Sequence, residues 1–269
     1  RQLNLSYDAS NRINQFANPL GQITQYAFDA HNNLASVTHP DGTVRSYHYE
    51  DATYPNALTG ITDENGNRHA TYGYDSQGRA TTEHLAGGAL ATMLAFANNS
   101  TTVTDARGTA RTYNFQTLLG VQKSTGSSQP GGSGCGPASS GLSYDANGNV
   151  ATRTDFNGTT TTYAYDLARN LETSRVEAAG TPDARTLSTQ WHPVWRLPVK
   201  VAEPLKLTTL IYNGDSHGGS TVTCAPAGAT VPSPTGTGTQ PIGVLCRKIE
   251  HATTDTTGSQ GLNASPTGS

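Results

Sequence analysis

The sequence predicts an all-β fold, an array of about ten β-hairpins that follow one another along the chain. Three observations predict it. An aromatic residue followed by an acidic one returns at steps near 21 residues through most of the chain. Turn residues such as Pro, Asp and Gly stand midway between these pairs. Thr and Tyr, which favour a pleated, half-buried strand over a helix, number 40 and 12.

The aromatic-acid pairs mark the repeats and are our candidate structural anchors. Side chains of a strand alternate between two faces, so an aromatic residue at the same point of each unit predicts a series of equivalent strands. Phe96, Phe115, Trp191 and Tyr212 hold the same place without the acid. The pairs are Tyr7-Asp8, Phe28-Asp29, Tyr49-Glu50, Tyr74-Asp75, Tyr144-Asp145 and Tyr165-Asp166.

The first complete unit shows how the hairpins are recognised. Its first arm, residues 12–17, ends at the sequence NPLG, and the second arm then rises to Phe28. Pro presets φ to about −65° and Gly adopts conformations that other residues resist, so this is a turn. The same pattern predicts hairpin tips at 18–21, 39–42, 63–66, 105–108 and 155–158, with weaker versions at 86–89 and 203–206.

A second kind of turn links each hairpin to the next, directly after the aromatic residue. In YDSQGR and YDANGN the Asp carboxylate can accept a hydrogen bond from an amide two residues on, so the Asp ends the strand. Triplets such as Tyr163-Ala164-Tyr165 place two rings on one face. We therefore expect Tyr49, Tyr74 and Tyr165 to be buried against rings of adjacent hairpins, each cross-strand pair contributing about 0.2–1 kcal/mol.

Composition divides the chain into four segments. Hairpins occupy 1–120 and 144–216, separated by a Gly-, Ser- and Pro-rich insert over 121–143 that we expect to be flexible. Residues 217–269 are predicted to form a Pro-, Gly- and Thr-rich loop and the start of a further, truncated repeat. The abrupt start and end predict an excised piece of a longer protein, an open ribbon with two unpaired sheet edges.

The charge balance excludes some partners. Lys and Arg number 17 against 20 Asp and Glu, and no basic run could neutralise a row of phosphates, so we predict no nucleic-acid partner. No stretch approaches the roughly 18 apolar residues of a membrane span, and no signal-peptide pattern opens the chain. We predict no membrane insertion by this segment.

The repeated unit resembles the YD repeats of the RHS (rearrangement hotspot) family, which includes bacterial polymorphic toxins, shell components of insecticidal toxin complexes and animal teneurins. The resemblance covers residues 1 to about 216, and SYDANGNVATRTDFNGTTTTYAYD, residues 143–166, fits the pattern along its whole length. It implies a ribbon that spirals into a hollow β-shell around a C-terminal toxin domain. It also implies a secreted or cell-surface location, with the remaining repeats and the toxin cargo as partners.

The reactive side chains form no pattern that predicts a catalytic, cofactor or metal site. The eight His residues lack the helical spacing or the Cys neighbours of a zinc site. DENGN at 63–67 resembles half of a calcium loop, but turn chemistry explains it better. The Gly-rich TGTG and GSGCG stretches are interpreted as loops, and Cys135 as a bystander thiol rather than a nucleophile.

Cys224 and Cys246 flank a Pro-, Gly- and Thr-rich span. They either form a disulfide or remain two unrelated reduced thiols. A disulfide would close the loop, contribute roughly 3 kcal/mol in the chain-entropy model, and be permitted in an exported protein.

Three functions fit these patterns. The first is a structural wall segment, and the second is a cell-surface carbohydrate-binding array, an activity attributed to YD repeats, in which exposed rings such as Trp191 and Trp195 stack on sugars. The third is a β-propeller hydrolase, because two units have the length of one blade, about 42 residues. Odd and even units look alike and the propeller signature is missing. We therefore predict a non-enzymatic wall segment, with carbohydrate binding as the alternative.

Overall fold

The computed structural model describes residues 2–233, 236 and 238–267 of the chain. Within these residues it contains 24 β-strands and two single-turn 3-10 helices, Ala86–Gly88 and Gly261–Asn263. Twenty of the described strands pair antiparallel in the repeat array, which is the number that about ten hairpins require. The predicted all-β class is confirmed. No helix in this part of the chain is long and apolar enough to cross a membrane.

The first compact unit extends to Asn114, and each of its strands pairs with the next along the chain. Its strands are β1 (Asn4–Tyr7), β2 (Ile13–Ala17), β3 (Ile23–Phe28), β4 (Leu34–Thr38), β5 (Val44–His48), β6 (Gly60–Thr62), β7 (Arg68–Tyr74), β8 (Ala80–Leu85), β9 (Thr92–Ala97), β10 (Ser100–Thr104) and β11 (Ala110–Leu118), the last of which ends in the second unit.

The second compact unit begins at Phe115, and its last long strand pairs with β19 across an intervening excursion of the chain. Its further strands are β12 (Val121–Gln129), β13 (Ala138–Tyr144), β14 (Val150–Thr154), β15 (Thr160–Asp166), β16 (Leu171–Glu177), β17 (Arg185–Trp191), β18 (Pro198–Glu203), β19 (Lys206–Tyr212), β20 (Ser216–His217), β21 (Ser220–Thr221), β22 (Thr230–Pro232), β23 (Thr239–Pro241) and β24 (Leu245–Ala252).

The five strong hairpin tips lie between paired strands, as predicted. In each, the amide of the Gly at the fourth position donates to the carbonyl of the first residue, at 2.9 Å for Gly21 to Asn18 and 3.0 Å for Gly158 to Asp155. The Gly has a positive φ, 79° at Gly21 and 81° at Gly158, which residues with a Cβ adopt at a cost. The tips at 18–21, 39–42, 63–66, 105–108 and 155–158 are confirmed.

The two kinds of turn that the sequence suggested share one geometry. Asp8, which follows an aromatic residue, accepts the amides of Ser10 and Arg12 on Oδ1 at 2.8 and 3.0 Å. Asp155, at a hairpin tip, likewise accepts the amides two and four residues on, both at 2.9 Å. Both are short loops with a left-handed fourth residue, a common hairpin connection.

A β-bulge distinguishes the turns that follow an aromatic residue. Tyr7 pairs with Ile13 but Ser6 pairs with Gln15, so one residue, Asn14, is extra on the second strand. The same one-residue shift occurs beside Phe28, Tyr74, Tyr144, Tyr165, Trp191 and Tyr212. At the hairpin tips the register is regular, except beside 63–66. A bulge bends its strand and increases the local twist.

The insert expected over 121–143 is mostly strand in the structure, which corrects the expected flexible segment. β12 and β13 pair from Gly126 with Gly141 to Gln129 with Ala138, so the loop is limited to 130–137. Small hydroxyl side chains suit this strand pair because they form hydrogen bonds with each other across it. The Oγ atoms of Ser127 and Ser140, for example, lie 3.3 Å apart.

Most of the buried apolar side chains lie in the second unit, where the segment 253–267, which we call the strap, contacts β17 and β18. The strap follows β24 and reaches β17 and the β18–β19 turn, where the amides of Thr186 and Leu205 donate to its carbonyls at 2.7 Å each. The buried apolar side chains of the second unit are Leu171, Ala202, Leu207, Ile211, Tyr212 and Ala264, whereas in the described part of the first unit Ala70 is the single buried apolar side chain. The segment predicted as a loop and a truncated repeat, 217–269, thus contains the long strand β24 and the strap.

Candidate functional site: the row of aromatic-acid turns

The predicted Asp anchors lie in the turns between successive hairpins, and each holds its turn closed. Asp29, Asp75 and Asp145 use Oδ1 to accept the amides two and four residues on, as Asp8 does. Their Oδ2 accepts from the side chain four residues on, as with Arg79 to Asp75 at 2.8 Å. Asp166 accepts one amide, that of Ala168. Both oxygens of Asp8, Asp29, Asp75 and Asp145 therefore accept hydrogen bonds within their own turns.

These contacts lower the pKa of the turn carboxyls. The Arg12 amide, followed by the Arg12 guanidinium, lowers the pKa of Asp8 below its ordinary 3.8. The Arg79 side chain does the same for the pKa of Asp75. At Asp29 and Asp145 burial raises the pKa, but the hydrogen bonds from the Asn side chain and amide four residues on lower it by more. These groups therefore stay ionised to a lower pH than an ordinary Asp side chain does.

In the first unit, each of these turns is fastened to the next by a polar side chain. Arg12 donates to Asn32 Oδ1 at 2.6 Å, and Asn33 donates to the carbonyl of Pro55 at 2.8 Å. The hydroxyl of Tyr54 donates to the carbonyl of Ser76 at 2.5 Å. We call these connections clasps, because each joins two turns about one repeat apart.

The second unit has clasps of the same kind. Lys123 Nζ donates to the Gly148 carbonyl at 2.7 Å, and Asn147 Nδ2 to the Leu167 carbonyl at 2.7 Å. Arg169 donates from its two terminal nitrogens to the carbonyls of residues 192 and 195, both at 2.8 Å. Within each unit the turns form a connected row along one side of the ribbon.

The rings of successive anchors are not stacked on one another, contrary to the expected ring ladder. Among the described residues the close ring pair is His192 and Tyr212, edge to face at 6.2 Å. Successive anchors belong to alternate strands, about 10 Å apart at 4.8 Å per strand, which is beyond ring contact. Cations fill that distance: Arg12 lies 4.3 Å above the Phe28 ring, Arg79 4.2 Å above Phe96, and Lys123 5.1 Å from the centre of Tyr144.

The burial expected for Tyr49, Tyr74 and Tyr165 is partial in the structure. All three are half-buried, and Tyr165 lines an open groove. Polar atoms of several anchors instead attach the ring to the preceding hairpin. The Tyr hydroxyls and the Trp indole N–H donate to backbone carbonyl oxygens. The pairs are Tyr74 with Leu58 at 2.8 Å, Tyr144 with Ser124 at 2.6 Å, Trp191 with Glu172 at 2.7 Å and Tyr212 with Pro198 at 2.9 Å.

The anchor pair at 49–50 departs from the pattern. Tyr49 follows the end of β5, and Glu50 does not cap a short turn, because a longer loop reaches to residue 59. Glu50 instead pairs with Arg68 at 2.8 Å, and this side chain lowers the pKa of the Glu50 carboxyl. Thr59, which is buried, donates its hydroxyl to the His48 carbonyl and accepts the Glu50 amide. A longer acid thus stabilises a longer loop.

The cysteines lie away from the turn row. Cys224 and Cys246 are joined, with an S–S distance of 1.96 Å and Cα atoms 5.6 Å apart, so the bridge closes the excursion between β19 and β24. Cys135 is exposed and unpaired. No group of three or more His, Cys, Asp or Glu side chains within the described residues is placed to hold a metal ion.

The functional residues that were not recognised from the sequence lie at the fourth position after the acid. Arg12, Asn33, Arg79 and Asn149 all donate to the carboxylate of their own turn. Their signal was in the sequence, since aligning the repeats on the acid brings Arg or Asn into this column. The acid and the Gly were the turn positions recognised from the sequence.

Comparison with known proteins identifies the repeats. The RHS Repeat family model matches residues 7–44, 56–90 and 144–182, and these segments contain most of the capped turns. No curated protein matches the chain.

Several solved structures are similar at low identity. The crystal structure of TcdB2-TccC3 is 12% identical with a TM-score of 0.36, covering 80% of this chain and 15% of that one. The Tc holotoxin pore of Photorhabdus luminescens is 11% identical with a TM-score of 0.35, covering 94% of this chain and 16% of that one. The chain therefore spans less than a fifth of the length of these structures.

The aromatic-acid period, the capped turns and the three matched segments agree with the resemblance noted in the sequence. The three matched segments of the chain are RHS repeats.

Proposed function

We propose that the chain is a structural wall segment of an RHS shell, which in a longer parent protein encloses a C-terminal toxin domain for delivery and is exported with it. The clasps carry this proposal. They join turn to turn within each unit through Arg12, Asn33, Lys123, Asn147 and Arg169, and so connect hairpins mechanically. A wall must resist separation of its strands, and a row of side-chain bonds along one side does so.

The bulges support a curved wall. Each lies on the strand that follows an aromatic turn, so the bend recurs on the same side of the repeat. A bulge bends its strand locally, and a bend repeated at a fixed period is what a curved surface requires.

The turn carboxylates favour a non-enzymatic role. Both oxygens of Asp29, Asp75 and Asp145 already accept hydrogen bonds, and the lowered pKa of each makes it a poor proton donor at neutral pH. These acids are used for structure.

Protease protection in the parent protein tests the wall proposal. We expect the C-terminal domain to resist a protease in the native parent and to become sensitive in a Lys123→Ala, Tyr144→Ala double variant, which removes one clasp and its ring. Lys248→Ala, which removes an exposed ion pair on β24, is the matched control and should keep the protection. Equal cleavage of the domain in all three proteins would overturn the proposal.

Carbohydrate binding is the second candidate, and one groove favours it. Phe156, Tyr163 and Tyr165 line an open groove of about 610 Å³, with Phe156 42% exposed and the Arg153 guanidinium beside it. Exposed rings next to a polar group are suited to stacking on a sugar. Calorimetric titration with neutral and acidic oligosaccharides should detect binding that Phe156→Ala weakens. Absence of heat at millimolar sugar would eliminate this candidate.

A further inference from the structure

One turn of the row is capped by a histidine instead of an acid. His192 directly follows the anchor Trp191, in the position that Asp holds in the other repeats. Its ring nitrogen Nδ1 accepts the amides of Val194 and Trp195, at 3.1 and 3.0 Å. The imidazole thus replaces the carboxylate oxygen that closes an Asp turn.

The geometry determines the protonation of this ring. Two amides can donate to Nδ1 only through its lone pair, so Nδ1 carries no proton. The ring proton is then on Nε2, which lies 3.0 Å from Asp215 Oδ1 and donates to it. Protonation of Nδ1 would remove the acceptor of both amides while leaving the bond to Asp215 in place.

The groups around His192 act in opposite directions. Asp215, whose other oxygen accepts the Tyr212 amide, attracts an imidazolium. Arg169 repels it, because its guanidinium is bound to the carbonyls of residues 192 and 195. Lys200 and His217 line the same small cavity, and Lys200 Nζ is bound to the Leu262 carbonyl. The Tyr212 ring meets the imidazole edge to face.

We propose that the turn 192–197 is a pH-sensitive joint in the row, which opens on mild acidification while the Asp-capped turns stay closed. Histidine is the side chain whose charge normally changes between about pH 5 and 8. A carboxylate keeps its acceptor oxygens through that range. Opening the joint also releases the two carbonyls that Arg169 holds, so one clasp of the second unit is lost with it.

Amide hydrogen exchange on the full chain tests the proposal. Exchange is measured by NMR at about pH 7.5 and pH 5.5, with rates corrected for the intrinsic pH dependence of exchange. We expect the Val194 and Trp195 amides to exchange about tenfold faster at the lower pH, since two hydrogen bonds are lost. The Asn147 and Asn149 amides, held by Asp145, are the internal reference and should not change.

His192→Asn is the matched variant. An Asn side chain accepts amides at every pH, as Asn18 does for Leu20 and Gln22 in its own turn, and its NH₂ group can donate to Asp215. The pH dependence of the 194 and 195 amides should disappear in this variant. The proposal is overturned if the wild-type amides exchange equally at both pH values, or if the variant keeps the wild-type pH dependence. If the variant does not fold, the comparison of wild-type exchange rates at the two pH values tests the proposal by itself.

Discussion

The first strand of the chain and β19 are built from the same repeat but are buried very differently. Tyr7, the anchor of β1, is 57% exposed, and Leu5 on the same strand and Leu3 just before it are also exposed. Tyr212, the anchor of β19, is 6% exposed. Both anchors precede a turn and a bulge. The difference teaches that the repeat supplies connection between hairpins, whereas burial requires a second layer.

The strap supplies such a layer over β17 and β18. A sheet face becomes a core only when another element covers it. In the second unit residues 257–264 lie on β17 and β18, and Gly258 is so close to the Thr186 carbonyl that a Cβ would meet it. At β1 no such element is present within the described residues.

Tyr212→Ala should give the largest loss of stability. The ring is buried and its hydroxyl donates to Pro198, so we expect the free energy of unfolding of the second unit to fall by about 3–5 kcal/mol. Tyr212→Phe, which removes only the hydrogen bond, should cost about 1 kcal/mol. Chemical denaturation measures both. The dependence of stability on the burial of the anchor would be refuted if Tyr165→Ala, on the half-buried Tyr165, proved as costly as Tyr212→Ala.

Asp255→Ala should detach the strap. Asp255 is 4% exposed and accepts the amides of Ser259 and Gln260 at 3.1 and 2.8 Å. Because these donors would be left unpaired in a buried place, we expect a loss of about 1–3 kcal/mol. Asp105→Ala, in an exposed turn of the same Asp-x-x-Gly type, is the control and should cost less, since water can replace its bonds. Equal losses would show that the strap adds nothing.

Acid should destabilise the first unit more than the second. A carboxyl whose pKa is lowered by folding contributes stability above its ordinary pKa, near 3.8 for Asp, and this contribution is lost as the pH falls towards the folded value. Hydrogen exchange followed through this range should report earlier opening in the first unit. Simultaneous opening of both units would contradict the expectation. Described carboxyls with a lowered pKa are Asp8, Asp29, Asp41, Glu50, Glu64, Asp75 and Asp105 in the first unit, and Asp145 and Glu250 in the second.

Leu5→Lys should have the smallest effect on stability and a clear effect on association. Leu5 is 47% exposed on β1, so the substitution should change the free energy of unfolding by less than about 0.5 kcal/mol. A charge on an open edge opposes pairing with another chain. Light scattering should therefore show self-association of the wild type that the variant reduces. A monomeric wild type at high concentration would mean that this edge does not pair.

The sequence predicted those parts of the fold that depend on local chemistry. Asp-x-x-Gly and Asn-Pro-x-Gly determine their own turn, so the tips and the anchors could be located without knowing their neighbours. The bulges could not, because an extra residue in one strand is defined only against the register of its partner. The strap was missed for a similar reason. Its DTTG turn at 255–258 is visible in the sequence, but which face it covers depends on contacts with β17 and β18.

The candidate site was predicted in part. The acid positions were recognised as turn residues, but the rings were expected to contact each other, because the sequence does not show that anchors lie two strands apart. The cation above Phe28 comes from Arg12, 16 positions earlier, and no spacing rule predicts that pairing.

The bulge beside each aromatic turn restricts how such a chain can change in length. A strand that gains or loses one residue exchanges its two faces, and in seven of the repeats one bulge already absorbs an odd residue. Insertion of an odd number of residues within a strand would therefore exchange its faces, whereas duplication or deletion of a whole unit carries its own bulge and leaves the rest in phase.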